Sequence, residues 1–350
     1  MRFPEFSEEW ESKRLDECVT FLDEQRKPIK STERSSESKL YPYYGASGVI
    51  DYIDDYIFDE ELILLSEDGA NILDRNYRVA FIIKGKTWVN NHAHVLKPMK
   101  NVDISYLSEY LESLKYDKYN TGSTMPKLNQ EVCRSIRVWM PQYEEQSKIG
   151  RLLSVINERI ETQRKIIEKY ESLIRGLCEK LTRQGATNKT IAECLECHSS
   201  TLQESAVLDA GSYPVFGAIG ICGYTDTPDV SGDGILIIKD GASVGVTYFA
   251  DGSYSSIGTL NRLTAKEDIN LRYIYYCLKV LNFTPYKTGL AIPHIYFKDY
   301  GKHKIWCPPL EQQSSIADAL TTIDNKIQVE KSLLEQLNSQ KRYMLNQLFI

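Results

Sequence analysis

The chain has 350 residues, 42% hydrophobic and 26% charged, with a formal net charge of −6. That length suits two domains with real cores, and the acidic balance excludes a general basic coat for nucleic acid while permitting a local basic face. No apolar run approaches the ~18 residues needed to span a bilayer, the opening "MRFPEFSEEWESKRLDECV" has no apolar signal core, and the scattered cysteines read as reduced thiols, so a cytoplasmic location without membrane contact is expected.

Taken in chain order, "RLDECV" (Arg14 to Val19) opens a mixed region. Tyr41-Pro42 with Gly45-Ala46 and the following glycine read as a turn. "ELILLS" and "VAFIIK" are short apolar runs bounded by Gly, Asp or Asn, which predicts strands, and Asp68-Gly69-Ala70 lies between them. "VNNHAHVL" (Val89 to Leu96), read as a strand, puts His92 and His94 on one face. No third ligand is near, so no metal is expected, and a structural or DNA-facing role is the reading. "ISYLSEYLESLK" (Ile104 to Lys115) has helical spacing. "TGSTMPKL" (Thr121 to Leu128) reads as a loop, and Pro141 punctuates the start of a helix.

Beyond Pro141, Ile149, Leu153, Ile156, Ile160, Gln163, Ile167, Tyr170, Ile174, Leu177 and Leu181 follow at alternating spacings of four and three. This 3.5-residue period predicts a coiled-coil seam. The second half then repeats the first. "TIAECL" (Thr190 to Leu195) answers "RLDECV"; Tyr213-Pro214 with Gly217-Ala218 and Asp240-Gly241-Ala242 recur at an offset of 172; "TGLAIPHI" (Thr288 to Ile295) recurs at 167. "GILIIK" predicts a strand and "LRYIYYCLKVL" (Leu271 to Leu281) a helix. After Pro308-Pro309 a second seam runs through Ile316, Leu320, Ile323, Ile327, Glu330, Leu334, Leu337, Lys341, Met344 and Leu348. Gln163 and Glu330 hold the same repeat position, where a polar layer sets register or a splayed seam is wet. The stretch between the Asp-Gly-Ala and Thr-Gly motifs differs in length and in nearly every residue. That is one scaffold carrying two recognition surfaces.

The predicted fold is therefore α+β. Two mixed α/β globular domains (residues 1–143 and 185–310) are joined by two long coiled-coil helices (144–184 and 311–350). A pseudo-two-fold axis across the helices would make them antiparallel. Site chemistry is thin. "CLECH" (Cys194 to His198) fits the c-type haem pattern but lacks an export signal and a second axial ligand. The glycine-rich "GASG" and "GAIGICG" do not close a dinucleotide fingerprint. Glu11-Ser12-Lys13 is a loose nuclease-like match absent from the second half. No P-loop and no Asn-Pro-Pro-aromatic tetrapeptide is present, so no catalytic residue is expected.

"YPYYGASG" with "YPVFGAIG", "TGSTMPKLN" with "TGLAIPHIY", and "PQYEEQSKIGRLLSVINERI" with "PPLEQQSSIADALTTIDNKI" together resemble the specificity (S) subunit of type I restriction–modification enzymes. The resemblance covers essentially the whole chain. It implies two target recognition domains on double-stranded DNA, two spacer helices, two modification (methyltransferase) subunits that bind S-adenosylmethionine, and restriction subunits that hydrolyse ATP and cleave DNA. It implies that the chain itself catalyses nothing and binds no cofactor, with S-adenosylmethionine, ATP and Mg on the other subunits. The second Thr-Gly motif lacks the Ser-Thr and Lys of the first, so a DNA role for Ser123, Thr124 or Lys127 does not transfer to it.

Candidate DNA contacts are Lys84, Lys86, Asn90, Asn91 and His92 in the first variable segment, then Lys118, Tyr119, Ser123, Thr124 and Lys127. In the second half they are Ser255, Ser256, Arg262, Tyr286, Lys287 and His294. Lys127 suits a phosphate, since the preceding Gly lets backbone approach closely. Residues 1–143 carry 19 basic and 24 acidic side chains and residues 185–310 carry 10 and 12. Neither domain is basic, so tight binding is expected only once modification subunits close around the duplex. The competing reading is a coiled-coil adaptor whose two end domains bind proteins. If the helices set the distance between half-sites, deleting one heptad from both should shorten the gap in the recognised motif by about three base pairs, or ~10 Å. Mapping the methylated motif checks this, and an unchanged gap contradicts it.

Overall fold

The computed structural model describes residues 3–34, 39–289 and 292–349. The chain divides into two compact units, Met1–Gln163 with Leu333–Ile350, and Arg164–Ser332. Each is a mixed α/β body carrying its own antiparallel stretch of paired long helix.

In the first unit one sheet runs Val19–Phe21, Ala93–Pro98, Leu62–Ser66, Ala80–Ile83, all antiparallel. A second runs Gly48–Ile53, Tyr41–Gly45, Lys86–Val89, Phe58–Asp59, with Tyr41–Gly45 and Lys86–Val89 parallel. The strand Leu62–Ser66 is buried throughout because both of its faces are covered. Ile63 and Leu65 pack with Tyr106 and Leu107 of the helix Ile104–Ser113. Leu62 and Leu64 pack with Phe58 and Val89 of the other sheet. Each such side chain contributes about 1.5–3 kcal/mol by leaving water.

The second unit repeats this plan. Its sheets run Leu195–Ser199, Leu260–Ala265, Gly234–Ile238, Thr247–Ala250 and Gly220–Thr225, Tyr213–Gly217, Ser253–Ser256, Val230–Ser231. Ile235 and Ile237 meet the helix Leu271–Lys279, while Leu236 and Ile238 face Val215 and Tyr254.

Two continuous helices, Tyr143–Leu181 and Leu310–Leu348, carry the seams. None of the predicted seam positions is exposed. In the first unit Ile149 and Leu153 share a core with Met344, Leu345 and Leu348, and Asn157 meets Lys341 at 2.7 Å. Rising numbers on one helix face falling numbers on the other, so the pair is antiparallel. In the second unit Glu171 meets Lys331 at 2.6 Å, and Ile174 and Cys178 lie in the core that holds Leu320 and Ile316. This pair too is antiparallel. Among the described residues no helix is long and apolar enough to cross a membrane.

The proline–glutamine phrase ahead of each seam has a structural cause. The buried Gln146 carboxamide accepts from the Asp103 N–H (2.9 Å) and donates to the Pro141 carbonyl (2.8 Å). Gln313 does the same with Asn270 (2.9 Å) and Pro308 (2.8 Å). Asp103 and Asn270 in turn cap the helices that cover the sheets, accepting from Tyr106 and Tyr273 N–H. One amide thus fixes each sheet-covering helix to the start of a long helix.

Two sequence expectations need correction. The two sheet-covering helices end two residues early, at Ser113 and Lys279, because Leu114 is extended and Val280 has left helical geometry. Val89 to Leu96 is not one strand. Asn90 Oδ1 accepts the His92 N–H at 2.8 Å and turns the chain between Lys86–Val89 and Ala93–Pro98, so His92 and His94 do not share a strand face. In "TGLAIPHI", residues 290 and 291 lie outside the described residues.

A lysine at an apolar seam position, Lys341, is explained by its neighbours. Its Nζ lies 2.9 Å from Glu109, a buried carboxylate that also pairs with Arg78 and accepts from Asn157. Burial opposes both charges. The two cations nevertheless hold the Glu109 carboxyl below its usual range, whereas desolvation leaves the Lys341 ammonium below its own. The equivalent positions in the second unit are Tyr276, Asp324 and Ile174, where Tyr276 Oη donates to Asp324 at 3.3 Å and the counter-charge comes instead from Lys279 of the sheet-covering helix, 3.1 Å from the same carboxylate. Lys341→Met should therefore cost about 1.5–3 kcal/mol in denaturant unfolding, because Glu109 keeps Arg78 and Asn157 but loses one charge-assisted hydrogen bond. Adding Glu109→Gln should recover part of the loss; a double variant no better than the single one contradicts this account.

Candidate nucleic-acid interface

The motifs repeated in sequence come together in space within each unit. The hairpin Tyr41–Gly45/Gly48–Ile53 turns at Ala46-Ser47, with Gly48 at φ +130°, and the Ala46 carbonyl accepts from Ser66 Oγ at 2.6 Å. The glycine-rich phrases are thus turns in both units, the second at Ala218-Ile219. Gly69 and Gly241 hold φ of +108° and +101°. A Cβ at either would meet nothing within 4 Å, so backbone conformation alone demands glycine there.

The Asp-Gly-Ala and Thr-Gly motifs are laced together. Gly69 N–H donates to Pro126 O (3.0 Å) and Leu128 N–H to Glu67 O (2.7 Å); Gly241 donates to Pro293 (3.0 Å) and Ile295 to Lys239 (2.9 Å). The loop itself is tight: a Cβ on Gly122 would stand 1.8 Å from Met125 O, and on Gly289 2.3 Å from Ile292 O. These residues recur because they build and tie the loops. The Ser and Thr of the first motif are free to vary because they sit at its exposed tip.

Beneath the first loop lies a buried network absent from the sequence reading. His94 donates from Nδ1 to Asp23 (2.6 Å) and from Nε2 to the Leu128 carbonyl (2.8 Å). Burial would depress the imidazole, but the Asp23 carboxylate overrides it and, with the Cys133 thiol, pushes it up to about 10. Gln130 donates to Asp23 at 2.7 Å, and Arg26 bridges Asp23 (3.5 Å) and Glu67 (2.6 Å). Asp23, Glu67 and His94 stand close enough to chelate a cation, yet the Arg26 guanidinium already pairs with both carboxylates and both ring nitrogens are committed. In the second unit the same positions are Ser199 and Asn261, joined by a neutral hydrogen bond of 3.1 Å. The period-two sheet pattern places His94 inward, but Asp23 is far away in sequence, and no spacing rule pairs them.

The predicted contact residues divide by burial. Lys84, Lys86, Asn91, His92, Lys118, Ser123, Thr124 and Lys287 are exposed, while Tyr119, Lys127, Arg262, Tyr286 and His294 are half-buried. Asn90, Ser255 and Ser256 are corrected: they are at most 4% exposed. Asn90 caps the turn before His92, and Ser255 accepts from the Asp229 N–H at 2.9 Å inside the sheet. Several cations are engaged. Lys84 pairs with Glu61 (2.9 Å) and Lys127 with Glu67 (3.4 Å), Lys86 sits 4.6 Å over the Tyr56 ring and Lys118 5.0 Å over Tyr119, and Tyr286 Oη lies 2.8 Å from His303 Nδ1. The structure brings His92 and Lys127 to the two laced loops; Lys84 and Lys86 lie on other segments. In "CLECH", Cys194 is in the core and His198 Nε2 is 2.9 Å from Thr264 Oγ1.

Comparison with known proteins matches residues 7–171 and 186–339 to the family model described as the type I restriction modification DNA specificity domain. A Haemophilus influenzae protein named as a putative type I restriction enzyme specificity subunit is 28% identical over 96% of this chain and 93% of its own length. The MjaVIII specificity subunit of Methanocaldococcus jannaschii is 24% identical over 97% and 92%. The crystal structure of the type I restriction–modification S subunit from M. genitalium superposes with a TM-score of 0.75 at 18% identity, covering 100% of this chain and 99% of that one.

The His94 network has a pH signature. Its folded value lies above the unfolded one, so its stabilisation is complete below 6.5 and is lost as pH rises toward about 10. The first unit should lose stability across that window. Replacing the pair by the second unit's, His94→Asn with Asp23→Ser, should flatten the dependence in denaturant unfolding measured at several pH values. An unchanged slope contradicts the assignment.

Proposed function

The chain belongs to the type I restriction–modification DNA specificity family, and we propose from this that it reads a split, asymmetric DNA target with one half-site for each unit. It recruits the modification subunits that methylate adenine and the restriction subunits that translocate and cleave, and it performs no chemistry itself. It works in the cytoplasm. S-adenosylmethionine, ATP and Mg belong to those other subunits. The observation that carries the reading is the doubled arrangement of hairpin turn, Asp-Gly-Ala loop and Thr-Gly loop, tied by the same backbone hydrogen bonds and lined by dissimilar side chains.

Affinity comes from phosphate contacts and selectivity from base edges. Ser123, Thr124 and Lys127 on the first loop and Lys287 and His294 on the second are the contacts we favour, with Arg262 as a base reader in the second unit. The pairing of Lys127 with Glu67 and of His294 with Asp240, and the acidic balance of both regions, fit a chain that binds DNA tightly only within the assembly. A solved neighbour described as concerning complex assembly and conformational transition of the type I system has a TM-score of 0.52 at 14% identity, which supports the shared fold.

Exchanging residues 1–143 for the same region of a relative should change one half of the methylated motif and leave the other half intact. Sequencing of methylated genomic DNA reads the result. A motif that does not move contradicts the proposal and favours the adaptor reading, and one that changes in both halves contradicts the assignment of one half-site to each unit.

A further inference from the structure

Resting on that DNA reading, we propose that Asp68–His92 in the first unit and Asp240–His294 in the second are phosphate clamps in which the aspartate holds Nδ1 of the imidazolium and Nε2–H donates to the DNA backbone. Asp68 and Asp240 are equivalent, each opening an Asp-Gly-Ala loop. Each holds an imidazole by Nδ1: His92 at 2.9 Å from both Asp68 oxygens, His294 at 2.7 Å from Asp240 Oδ1. The two histidines are not equivalent. His92 comes from the turn before Ala93–Pro98, where the second unit has Thr259. His294 comes from the Thr-Gly loop, where the first unit has Lys127. The same Asp–imidazole pair has thus been assembled twice from different sequence positions on the same loop.

A feature shared by two readers of different sequences serves what both half-sites share, and that is the sugar–phosphate backbone. The geometry is open to a ligand. The His92 and His294 side chains are 49% and 36% exposed, and among the described residues neither Nε2 has a hydrogen-bond partner. The protonation follows from valence. A neutral ring that donates Nδ1–H to aspartate leaves a lone pair on Nε2, which a phosphate oxygen repels. An imidazolium donates from both nitrogens, to the carboxylate on one side and the phosphate on the other. The ring that bridges aspartate and phosphate is therefore the imidazolium. The charged groups around His92 are Asp68 and the Glu67–Lys127 pair with Arg26 behind it. Around His294 they are Asp240 and Lys239, the latter on the facing strand end.

The test uses the full chain assembled with its modification subunits and a duplex carrying the methylated motif. Calorimetric titration at several salt concentrations should show affinity falling steeply with salt. His92→Gln and His294→Gln should each weaken binding about tenfold and lower the salt slope by about one. Asp68→Asn, which keeps the ring but removes its anchor, should also weaken binding. Unchanged affinity and salt slope in these variants, with selective binding by the parent, overturn the clamp alone. Loss of selectivity at one half-site with an unchanged salt slope overturns it in favour of a base contact. A parent assembly without sequence selectivity overturns the DNA reading and the clamp together.

Discussion

Both units depend on one buried amide. Gln146 and Gln313 each join a helix cap to the carbonyl of a proline that starts a long helix. The prolines cannot donate there, and the cap residues spend their side chains on the first turn of the helix beside them and on Ser147 and Ser314 of the long helices, leaving their own N–H groups to the glutamine. A glutamine carboxamide has one acceptor and two donors, which suits the gap. Removing it would strand buried backbone groups at about 1–3 kcal/mol each. The cost falls on orientation as well as stability, because this amide is the hydrogen-bonded joint between the sheet-covering helix and the seam.

Around that joint the two halves have diverged by exchanging whole sets of buried groups. Lys341 with Glu109 and Asn157 in the first unit answers to Ile174 with Tyr276 and Asp324 in the second. His94 with Asp23 answers to Asn261 with Ser199. A buried charge is tolerated only with its counter-charge, so neither member of a set can change alone. The first unit is charged at both sites and the second is neutral at one and less charged at the other. The backbone plan is indifferent to the choice, which is why it persists while side chains differ.

The sequence disclosed what local rules govern. The seams are legible because a 3.5-residue period leaves an apolar stripe that only another helix can cover, and Ile149, Leu153, Ile316 and Leu320 are buried accordingly. Leu62–Ser66 and Gly234–Ile238 are legible as apolar runs between turn residues. The recurring glycines are legible as loops, since their backbone angles or close contacts admit little else. Long-range pairing was not legible. Lys341 looks like a flaw in the stripe until Glu109 is seen across from it. Ser255 and Ser256 look like surface hydroxyls until the sheet buries them, and the turn at Asn90 splits what reads as one strand. Of the candidate interface, Lys127, His294 and the aspartates of the Asp-Gly-Ala motifs could be placed on motif loops from sequence; that those aspartates hold the histidines could not.

The central claim is that the two laced loops face different halves of one DNA target. Photocrosslinking from a reactive residue placed at Thr124, and separately at Lys287, in the assembled enzyme tests it most directly. Crosslinks from the first position confined to one half-site, and from the second to the other, are the result this account requires. Crosslinks from both positions to the same half-site, or none to DNA from either, would contradict it.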